Sequence, residues 1–341
     1  MPWSRSRPRR WREMSATLVT RAGPEPTTVT LVTSPGSYAA IPADGGPGMR
    51  FDGIGTRWVI DTPEDLPLGV EARIMAAVEE FDHEWSRFRE DSLVSVVGRE
   101  GGTVPVGDDG EAMMRLYTRL AAATDGAVNP LIGARLEHLG YDRSYRLTEA
   151  PGAPDPIPDW EGRFRGTTAL LTLPRGTVLD VGAVGKGRLV DIVTGILRRA
   201  RIADFTVDAG GDMRHVGDEV LRVALEHPFD PSRAVGVLEL GEAGLAASAT
   251  NRRAWADGLH HVIDARTGEP VRDIVATWAV ARSAMLADAA STAAFFLAPQ
   301  AVLDALDGVY AVVSMGPHGP VRAAGLDTAP TTALRSARLF D

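Results

Sequence analysis

The chain has 341 residues, of which 44% are hydrophobic and 24% are charged, with a formal net charge of −9. These proportions are typical of a globular protein; with no apolar run approaching about 18 residues they exclude general disorder, collagen-like repeats and a membrane span. Cysteine is absent, which excludes disulfides, zinc–thiolate centres, iron–sulfur clusters and thiol nucleophiles.

The N-terminal region differs from the rest in charge. The first twelve residues contain five arginines and no acid. The remainder is therefore more acidic than the whole, and a net-acidic body predicts no nucleic-acid partner, because such binding depends on neutralising phosphates. We interpret residues 1–45 as a basic, disordered tail with one strand at 27–33, and residues 46–330 as one domain. The pair Arg9-Arg10 is followed by no apolar stretch, so no export signal is predicted.

Apolar residues that recur every three or four positions predict five helices. The predicted helices cover residues 68–88, 111–124, 187–200, 284–297 and 300–306. The apolar stripe of the first consists of Val70, Ile74, Val78, Phe81, Trp85 and Phe88. The second is predicted to end at Asp125-Gly126, a combination typical of helix ends.

Strands are predicted from short apolar or β-branched runs between turn residues. The predicted strands cover residues 50–60, 167–173, 177–181, 203–209, 219–225, 234–240, 245–249, 261–264, 276–281 and 309–315. The proline-rich residues 150–158 are predicted to form an irregular connection. Because strands and helices do not alternate strictly, the predicted fold class is α+β: a single large domain with mostly antiparallel sheets flanked by helices.

Lys186 is the single lysine among 36 basic residues, and it lies between two glycines. A lysine ammonium is a compact charge, which an arginine does not reproduce. The segment Asp180–Gly187 joins a predicted strand to a helix, so its glycines and the helix N-terminus could approach an anion. A tight turn with a surface lysine is the alternative, and the spacing does not decide between them.

Two further glycine-containing turns carry polar groups. The segment Asp208–Asp212 contains Gly210-Gly211, and on its own it indicates a turn with solvated aspartates. Asp125–Pro130 contains Asn129, one of two asparagines in the chain, and the simple explanation is a helix end followed by a turn.

Two pairs of side chains suit catalysis or metal binding. His260-His261 precedes Asp264, and a histidine beside a carboxylate suits general-base chemistry, although such pairs are more often structural. Asp288 and Thr292 are four residues apart on a predicted helix and so share a face. Their oxygens suit Mg²⁺; alternatively, the aspartate faces solvent and the threonine bonds back to the helix.

In their order along the chain, these motifs resemble the ApbE family, the FAD:protein FMN transferases. The resemblance extends from about residue 50 to about residue 315. It consists of Ser86-Arg87-Phe88 with Ser92, Asp125-Gly126-Ala127, Asp180–Gly187, Gly210-Gly211-Asp212, His261–Asp264 with Thr267-Gly268, and Ala287-Asp288 with Thr292.

The resemblance implies roles for individual residues. The implied Mg²⁺ ligands are the side chains of Asp288 and Thr292 and the backbone carbonyl of Ala183, while Ser291 lies where the family often has another metal-site residue. The implied FAD contacts are Ile54, Phe88, Ala127, Val128, Asn129, Asp180, Lys186 and Val262, with Ile54 in a place usually held by methionine. The implied catalytic residues are His261, as candidate base or transition-state contact, and Lys186.

The resemblance also implies an activity: Mg²⁺-dependent transfer of FMN from FAD to a Ser or Thr hydroxyl of a target flavoprotein, with release of AMP. Two alternatives remain open, an FAD pyrophosphatase giving FMN and AMP, and a non-catalytic flavin-binding protein. The expected partners are FAD and the acceptor flavoprotein. We expect a cytoplasmic location, since the family's usual lipoprotein or signal segment is not seen.

Overall fold

A computed structural model of the chain describes residues 17–21, 30–32, 46–256, 258–318 and 321–340. Its α-helices are α1 (Val70–Trp85), α2 (Leu93–Glu100), α3 (Asp108–Ala123), α4 (Gly133–His138), α5 (Gly185–Arg199), α6 (Ala284–Ala293) and α7 (Pro299–Ala305). Short 3-10 helices cover Pro130–Ile132 and Thr250–Arg253. Within the described ranges, no helix has the length and hydropathy needed to cross a bilayer.

The strands of the N-terminal half are β1 (Thr17–Arg21), β2 (Thr30–Val32), β3 (Gly48–Gly53), β4 (Thr56–Asp61), β5 (Gly102–Pro105), β6 (Phe164–Arg165) and β7 (Leu170–Leu173). Those of the next segment are β8 (Phe205–Asp208), β9 (Asp212–Val216), β10 (Leu221–His227), β11 (Asp230–Leu240), β12 (Gly244–Ala249), β13 (Ala254–Trp255) and β14 (Leu259–His260). The last are β15 (Ile263–Asp264), β16 (Glu269–Pro270), β17 (Ala276–Ala281), β18 (Val309–Met315), β19 (Val321–Ala324) and β20 (Leu334–Leu339).

The centre of the molecule is an eight-stranded antiparallel sheet with the order β19-β18-β17-β12-β9-β8-β4-β3. Strand β17 shows why the inner strands of this sheet are apolar along their whole length. Trp278 and Val280 point to one face and Ala279 and Ala281 to the other, and all four are buried. A strand with both faces covered has no polar alternation, which is why β17 was predictable as an apolar run.

Each face of this sheet is covered by a different layer. A second antiparallel sheet, β2-β1-β10-β11-β20, packs against one face through residues such as Val223 and Leu238. Helices cover the other face, and α5 and α6 lie side by side across β9, β12 and β17. The single α+β domain with mostly antiparallel sheets is confirmed.

Smaller elements surround the helical side. A three-stranded sheet has the order β5-β7-β6, and two short ribbons pair β13 with β14 and β15 with β16. Helix α1 buries Val70, Ile74, Val78, Phe81 and Trp85, as the sequence predicts, but it ends before Phe88. All five predicted helices are present, with ends that differ by a few residues. Residues 150–158 are irregular, as predicted.

Two strand predictions are wrong for identifiable reasons. The strand at 50–60 is a hairpin, because Ile54 (φ 40°) and Gly55 (φ 82°) form a left-handed turn between β3 and β4. The segment 177–181 is irregular: Thr177 donates to the Gly98 carbonyl (3.1 Å) and Asp180 to the Pro130 carbonyl (2.7 Å), so these N–H groups do not enter a ladder.

The N-terminal region is described only in part. Strand β2 lies within the strand predicted at 27–33, and β1 was not predicted. The five arginines of the first twelve residues lie outside the described residues, and the division at residue 45 stays a prediction.

Candidate active site

The first turn of α5 meets α6 at Asp288. The backbone N–H of Gly187 donates to Oδ2 of Asp288 (3.1 Å), so a buried carboxylate lies at the start of α5. A Cβ at Gly187 would overlap the Ala284 carbonyl, which explains the glycine. Asp191 accepts hydrogen bonds from the N–H groups of Ala284 (2.9 Å) and Met285 (3.0 Å) and so fixes the start of α6 beside α5.

Lys186 lies in the first turn of α5 and points to two buried carboxylates. Its Nζ forms an ion pair with Asp212 and lies 3.9 Å from Oδ1 of Asp288. Both carboxylates are almost fully buried, whereas the lysine side chain is 22% exposed. The alternatives of a surface lysine, a solvated Asp212 and a solvent-facing Asp288 are therefore wrong. The lone lysine is the cation of a buried charge cluster.

Asp212 reaches this cluster through the turn between β8 and β9. Gly210 (φ 69°) and Gly211 (φ 109°) adopt backbone conformations that side chains disfavour. Asp208 stabilises the turn by accepting a hydrogen bond from the Gly211 N–H (3.0 Å). The predicted turn is confirmed, and it places a carboxylate beside Lys186.

The charges in this cluster are only partly balanced. Burial raises the pKa of Asp288, against the lowering effects of Lys186 and the Gly187 N–H. Burial also lowers the pKa of Lys186. The second oxygen of Asp212, Oδ1, is buried and has no hydrogen-bond partner among the described residues. Since buried polar atoms are nearly always paired, this oxygen suggests an unfilled polar interaction.

Asp180 is held by Arg87, which follows α1. The Nε of Arg87 donates to Oδ2 of Asp180 (2.5 Å), and its Nη1 donates to the Tyr141 carbonyl (2.9 Å). The other carboxylate oxygen of Asp180 accepts from the Gly182 N–H (2.7 Å). Arg87 is buried, so this ion pair fixes the start of the loop that leads to Lys186.

Tyr117 of α3 fixes the middle of the same loop. Its hydroxyl donates to the Asp180 carbonyl (3.1 Å) and accepts from the Ala183 N–H (3.2 Å). The Gly187 N–H, which in a continued helix would bond the Ala183 carbonyl, donates to Asp288 instead. The Ala183 carbonyl is thereby left free of that helical bond.

The implied metal ligands can be tested against this geometry. Asp288 and Thr292 share one face of α6, Asp288 buried and Thr292 half-buried, and the Gly187 bond brings the Ala183 loop to Asp288. Carboxylate, hydroxyl and carbonyl oxygens are donors that Mg²⁺ accepts, and Mg²⁺ usually keeps several waters. Within the described part of the chain, no three His, Asp or Glu side chains form a metal cluster. The three residues therefore fit Mg²⁺ as a site with one carboxylate.

Ser291, the hydroxyl in the neighbouring position, is engaged within the protein. Its Oγ donates to the Asp288 carbonyl (2.9 Å) and lies 2.8 Å from the hydroxyl of Ser248 on β12. Thr277 of β17 donates to the Ser291 carbonyl (2.7 Å). These bonds attach α6 to the central sheet.

The two adjacent histidines have different environments. His260 donates from Nε2 to the Val271 carbonyl (2.8 Å) and accepts from the Val262 N–H at Nδ1 (3.2 Å), which is a structural role. His261 has a buried Nδ1 with no hydrogen-bond partner among the described residues. Burial, with further contributions from Arg253, His260 and Lys186, places the pKa of His261 well below its ordinary value, against the raising effect of a hydrogen bond with the Arg253 backbone. His261 is therefore neutral at pH 7 and can accept a proton.

Arg253 is a site residue that sequence reasoning missed. It ends a 3-10 helix, and its guanidinium carbon lies 5.8 Å from the centre of the Tyr141 ring. The hydroxyls of Tyr141 and Tyr145 and the carboxylates of Asp180 and Asp288 raise its pKa. No periodicity or motif marks this position, because only the pairing of β13 with β14 brings it to the site.

The implied flavin contacts lie around this centre. Phe88 stacks on Tyr145 (ring centres 5.6 Å apart, 8° between planes) and is half-buried. Ile54 occupies the β3–β4 turn, and a Cβ at Gly210 would meet Thr56, the first residue of β4 after this turn. The structure thus brings the start of β4 against the Gly210-Gly211 turn.

The remaining implied contacts belong to adjoining backbone segments. Ala127 and Val128 are buried, and the Ala127 carbonyl accepts from the Ala265 N–H (3.1 Å), close to Val262 in the chain. Asn129 donates to the Pro158 carbonyl (2.9 Å). Through the bond between Asp180 and Pro130 described above, these segments reach the Lys186 loop. Motifs that are far apart in sequence therefore surround one region.

The family model and the curated relatives that match this chain indicate the same protein family. Residues 54–313 match the family model described as "ApbE family". A curated relative named FAD:protein FMN transferase from Vibrio cholerae is 27% identical over 246 residues, which cover 65% of this chain and 72% of the relative. One of the same name from Rhodobacter capsulatus is 32% identical over 192 residues, which cover 51% of this chain but only 36% of that protein.

Solved structures show the same fold. A crystal structure of an ApbE protein from Thermotoga maritima is similar with a TM-score of 0.66 and 22% identity, covering 80% of this chain and 95% of that one. The structure of the flavin transferase ApbE from Vibrio cholerae gives a TM-score of 0.64 at 20% identity, covering 83% and 96%. The arrangement of sheets and helices is common to all three chains.

Proposed function

The chain belongs to the ApbE family, and on that premise we propose that it is an FAD:protein FMN transferase. It takes FMN from FAD, attaches it to a Ser or Thr hydroxyl of an acceptor flavoprotein and releases AMP. The relatives that match along most of its domain carry this name. The observation that supports the proposal best is the meeting of Lys186, Asp212, Asp288 and the α5 N-terminus in one buried cluster.

The metal site we propose consists of Asp288, Thr292 and the Ala183 carbonyl. When bound there, Mg²⁺ supplies charge neutralisation for the diphosphate oxygens. The protein prepares this site through two interactions. The Gly187 N–H orients the Asp288 carboxylate, and Tyr117 orients the Ala183 peptide.

The flavin-binding residues we propose are Ile54, Phe88, Ala127, Val128, Asn129, Asp180, Lys186 and Val262. Lys186 and the first turn of α5 provide positive charge for the phosphates of FAD. The Asp180 carboxylate is held by Arg87 and Gly182, so its position does not depend on the ligand. These hydrogen bonds hold the carboxylate in one orientation without the substrate, and such preorganisation lowers the entropic cost of orienting the diphosphate.

The proposed reaction is a phosphoryl transfer with an exact balance of bonds. The acceptor hydroxyl oxygen forms a bond to the phosphorus of the FMN half, and the bond from that phosphorus to the bridging oxygen breaks. AMP leaves with the bridging oxygen, and the hydroxyl proton goes to Nδ1 of His261 or to a nearby carboxylate. His261 is suited to this role because it is neutral and its Nδ1 is unpaired.

The test is an assay with FAD, Mg²⁺ and proteins from the source organism's lysate, separated on a denaturing gel and imaged by flavin fluorescence. We expect a fluorescent protein band whose mass has increased by one FMN, together with AMP. An FAD pyrophosphatase would release AMP and FMN at the same rate without any acceptor. A binding protein would retain FAD without AMP release, and either result would contradict the proposal.

The cellular location stays a prediction. We propose a cytoplasmic enzyme, and fractionation of cells with an antibody to the chain tests this directly.

A further inference from the structure

Arg253 and His261 lie at the same end of the β13–β14 ribbon. Ala254 pairs with His260 in this antiparallel ribbon, and Arg253 and His261 are the residues next to that pair at its open end. Arg253 is also the last residue of the 3-10 helix Thr250–Arg253, which leads into β13. Trp255 anchors the ribbon by donating from Nε1 to the Leu139 carbonyl (2.8 Å).

Three cations surround the site, and their partners differ. Arg87 is paired with Asp180 (2.5 Å), and Lys186 with Asp212. For Arg253, no carboxylate of the described ranges lies within 4 Å, and its nearest ring contact is Tyr141 at 5.8 Å. It is half-buried, so its charge is not fully solvated, and none of the ion pairs between described residues includes it.

The ring of Tyr141 places Arg253 beside the site. The guanidinium carbons of Arg87 and Arg253 lie 5.0 Å and 5.8 Å from the centre of this ring, and Arg87 is paired with Asp180 (2.5 Å). In agreement with this position, Tyr141, and further off Asp180 and Asp288, raise the pKa of Arg253, and Arg253 contributes to the lowered pKa values of Lys186 and His261. These groups belong to the region where the FAD diphosphate is proposed to bind.

Unpaired polar atoms in this space indicate that a ligand completes it. Nδ1 of His261 and Oδ1 of Asp212 are both buried and unpaired within the described part of the chain. Among the described residues, two such atoms and one cation without an ion pair leave polar interactions of this space unmade.

We infer that Arg253 binds the diphosphate of the substrate by donating guanidinium hydrogen bonds to its phosphoryl oxygens. The planar guanidinium can form two parallel bonds to such oxygens, which a lysine cannot. Arg253 then selects flavins that carry a diphosphate over riboflavin, which has no phosphate. This inference depends on the proposed function, since it takes FAD as the substrate.

The test compares binding of FAD and of riboflavin, measured by quenching of flavin fluorescence without acceptor protein. We expect Arg253→Gln to weaken FAD binding roughly 10- to 100-fold, as for the loss of charge-assisted hydrogen bonds. Riboflavin affinity should not change. Arg253→Lys should weaken FAD binding less, because it keeps the charge but not the paired bonds. The control is Arg266→Gln, which removes an exposed arginine that pairs with Asp264 on the neighbouring β15–β16 ribbon.

Wild-type FAD affinity in Arg253→Gln would overturn the inference, and so would an equal loss of FAD and riboflavin affinity. If Arg253→Gln fails to fold, the FAD and riboflavin affinities of Arg253→Lys are compared instead. Unchanged FAD affinity in Arg253→Lys would contradict the two parallel hydrogen bonds from the guanidinium to the phosphoryl oxygens. Failure of the proposed function looks different. In that case the wild-type protein binds FAD through Arg253 but yields neither AMP nor a flavinylated protein.

Discussion

Gly187 donates its backbone N–H to Oδ2 of Asp288 across 3.1 Å, and this bond joins the first turn of α5 to the middle of α6. The two helices approach so closely that a side chain at Gly187 has no room beside Ala284. The orientation of the proposed Mg²⁺ carboxylate is therefore set by helix packing. The absence of a side chain at Gly187 is what allows the close approach that orients this carboxylate.

Gly187→Ala should lower both stability and activity. The added methyl overlaps the backbone carbonyl of Ala284, which cannot rotate away as a side-chain end could. We expect a loss of about 1–3 kcal/mol in the free energy of unfolding in urea, typical of overpacking, and a weaker response of the melting temperature to Mg²⁺. Gly195→Ala in the same helix is the control: its Cβ meets only the end of Arg199, so stability should rise by up to about 1 kcal/mol. Equal effects at both positions would contradict this explanation.

Asp288→Asn should remove Mg²⁺ binding and leave the fold intact. The amide keeps the shape of the carboxylate and can still accept the Gly187 N–H, whereas the metal loses its one proposed carboxylate. Calorimetric titration of the apoprotein with MgCl₂ measures this without any turnover. Asp264→Asn, at a carboxylate outside the proposed metal site, should titrate like the wild type. Unchanged Mg²⁺ affinity in Asp288→Asn would place the metal elsewhere.

The sequence predicts those parts of the fold that depend on local pattern. The stripe of α1 and the apolar run of β17 are visible because neighbours along the chain repeat the same environment. The segment 177–181 has the composition of a strand, yet its N–H groups bond to Gly98 and Pro130, which are distant in sequence. Local pattern cannot reveal such partners.

The candidate site, too, could be predicted from the sequence only where a local pattern marks its residues. Lys186 and Asp288 attract notice by composition and helical spacing, and the structure brings them together. Asp212 was seen only as part of a turn, because its burial depends on how β9 enters the central sheet. Arg253 had no signal at all, since its place depends on ribbon pairing.

Two substitutions of Lys186 should distinguish the effect of its charge from the effect of its shape. Lys186→Met leaves Asp212 buried without its cation, and we expect a loss of about 3 kcal/mol in unfolding free energy, as when one partner of a buried ion pair is removed. Lys186→Arg should fold but lose activity by roughly 100-fold, because the planar head does not fit the space between the two carboxylates. Arg188 is on the same helix as Lys186, and Arg188→Gln, which breaks a more exposed pair with Asp109 of α3, should cost less than about 1 kcal/mol. Wild-type rates in Lys186→Arg would show that the lone lysine has no special role.

The pH dependence should report the burial of His261. Its folded pKa lies well below the unfolded value of about 6.5, because burial and the positive charge of Arg253 disfavour the imidazolium. The unfolded chain therefore binds the proton more tightly. This group contributes nothing to the pH dependence of stability above about pH 6.5, and stability falls as pH drops from there towards the folded pKa. In urea unfolding at pH 7.5 and 5.5, His261→Gln should lose less stability between the two values than the wild type does. The remaining loss includes the contribution of His260, whose pKa is also lowered.

The activity should depend on pH in a related way. If neutral His261 is the base, kcat/KM should stay constant as the pH falls to about 6.5 and should decrease only below that pH. Exposed His83 of α1 supplies the control, and His83→Gln should keep the wild-type activity profile. The contradicting result is a decrease of kcat/KM centred above pH 6.5 in the wild type that disappears in His261→Gln. It would mean that the surroundings of His261 do not lower its pKa.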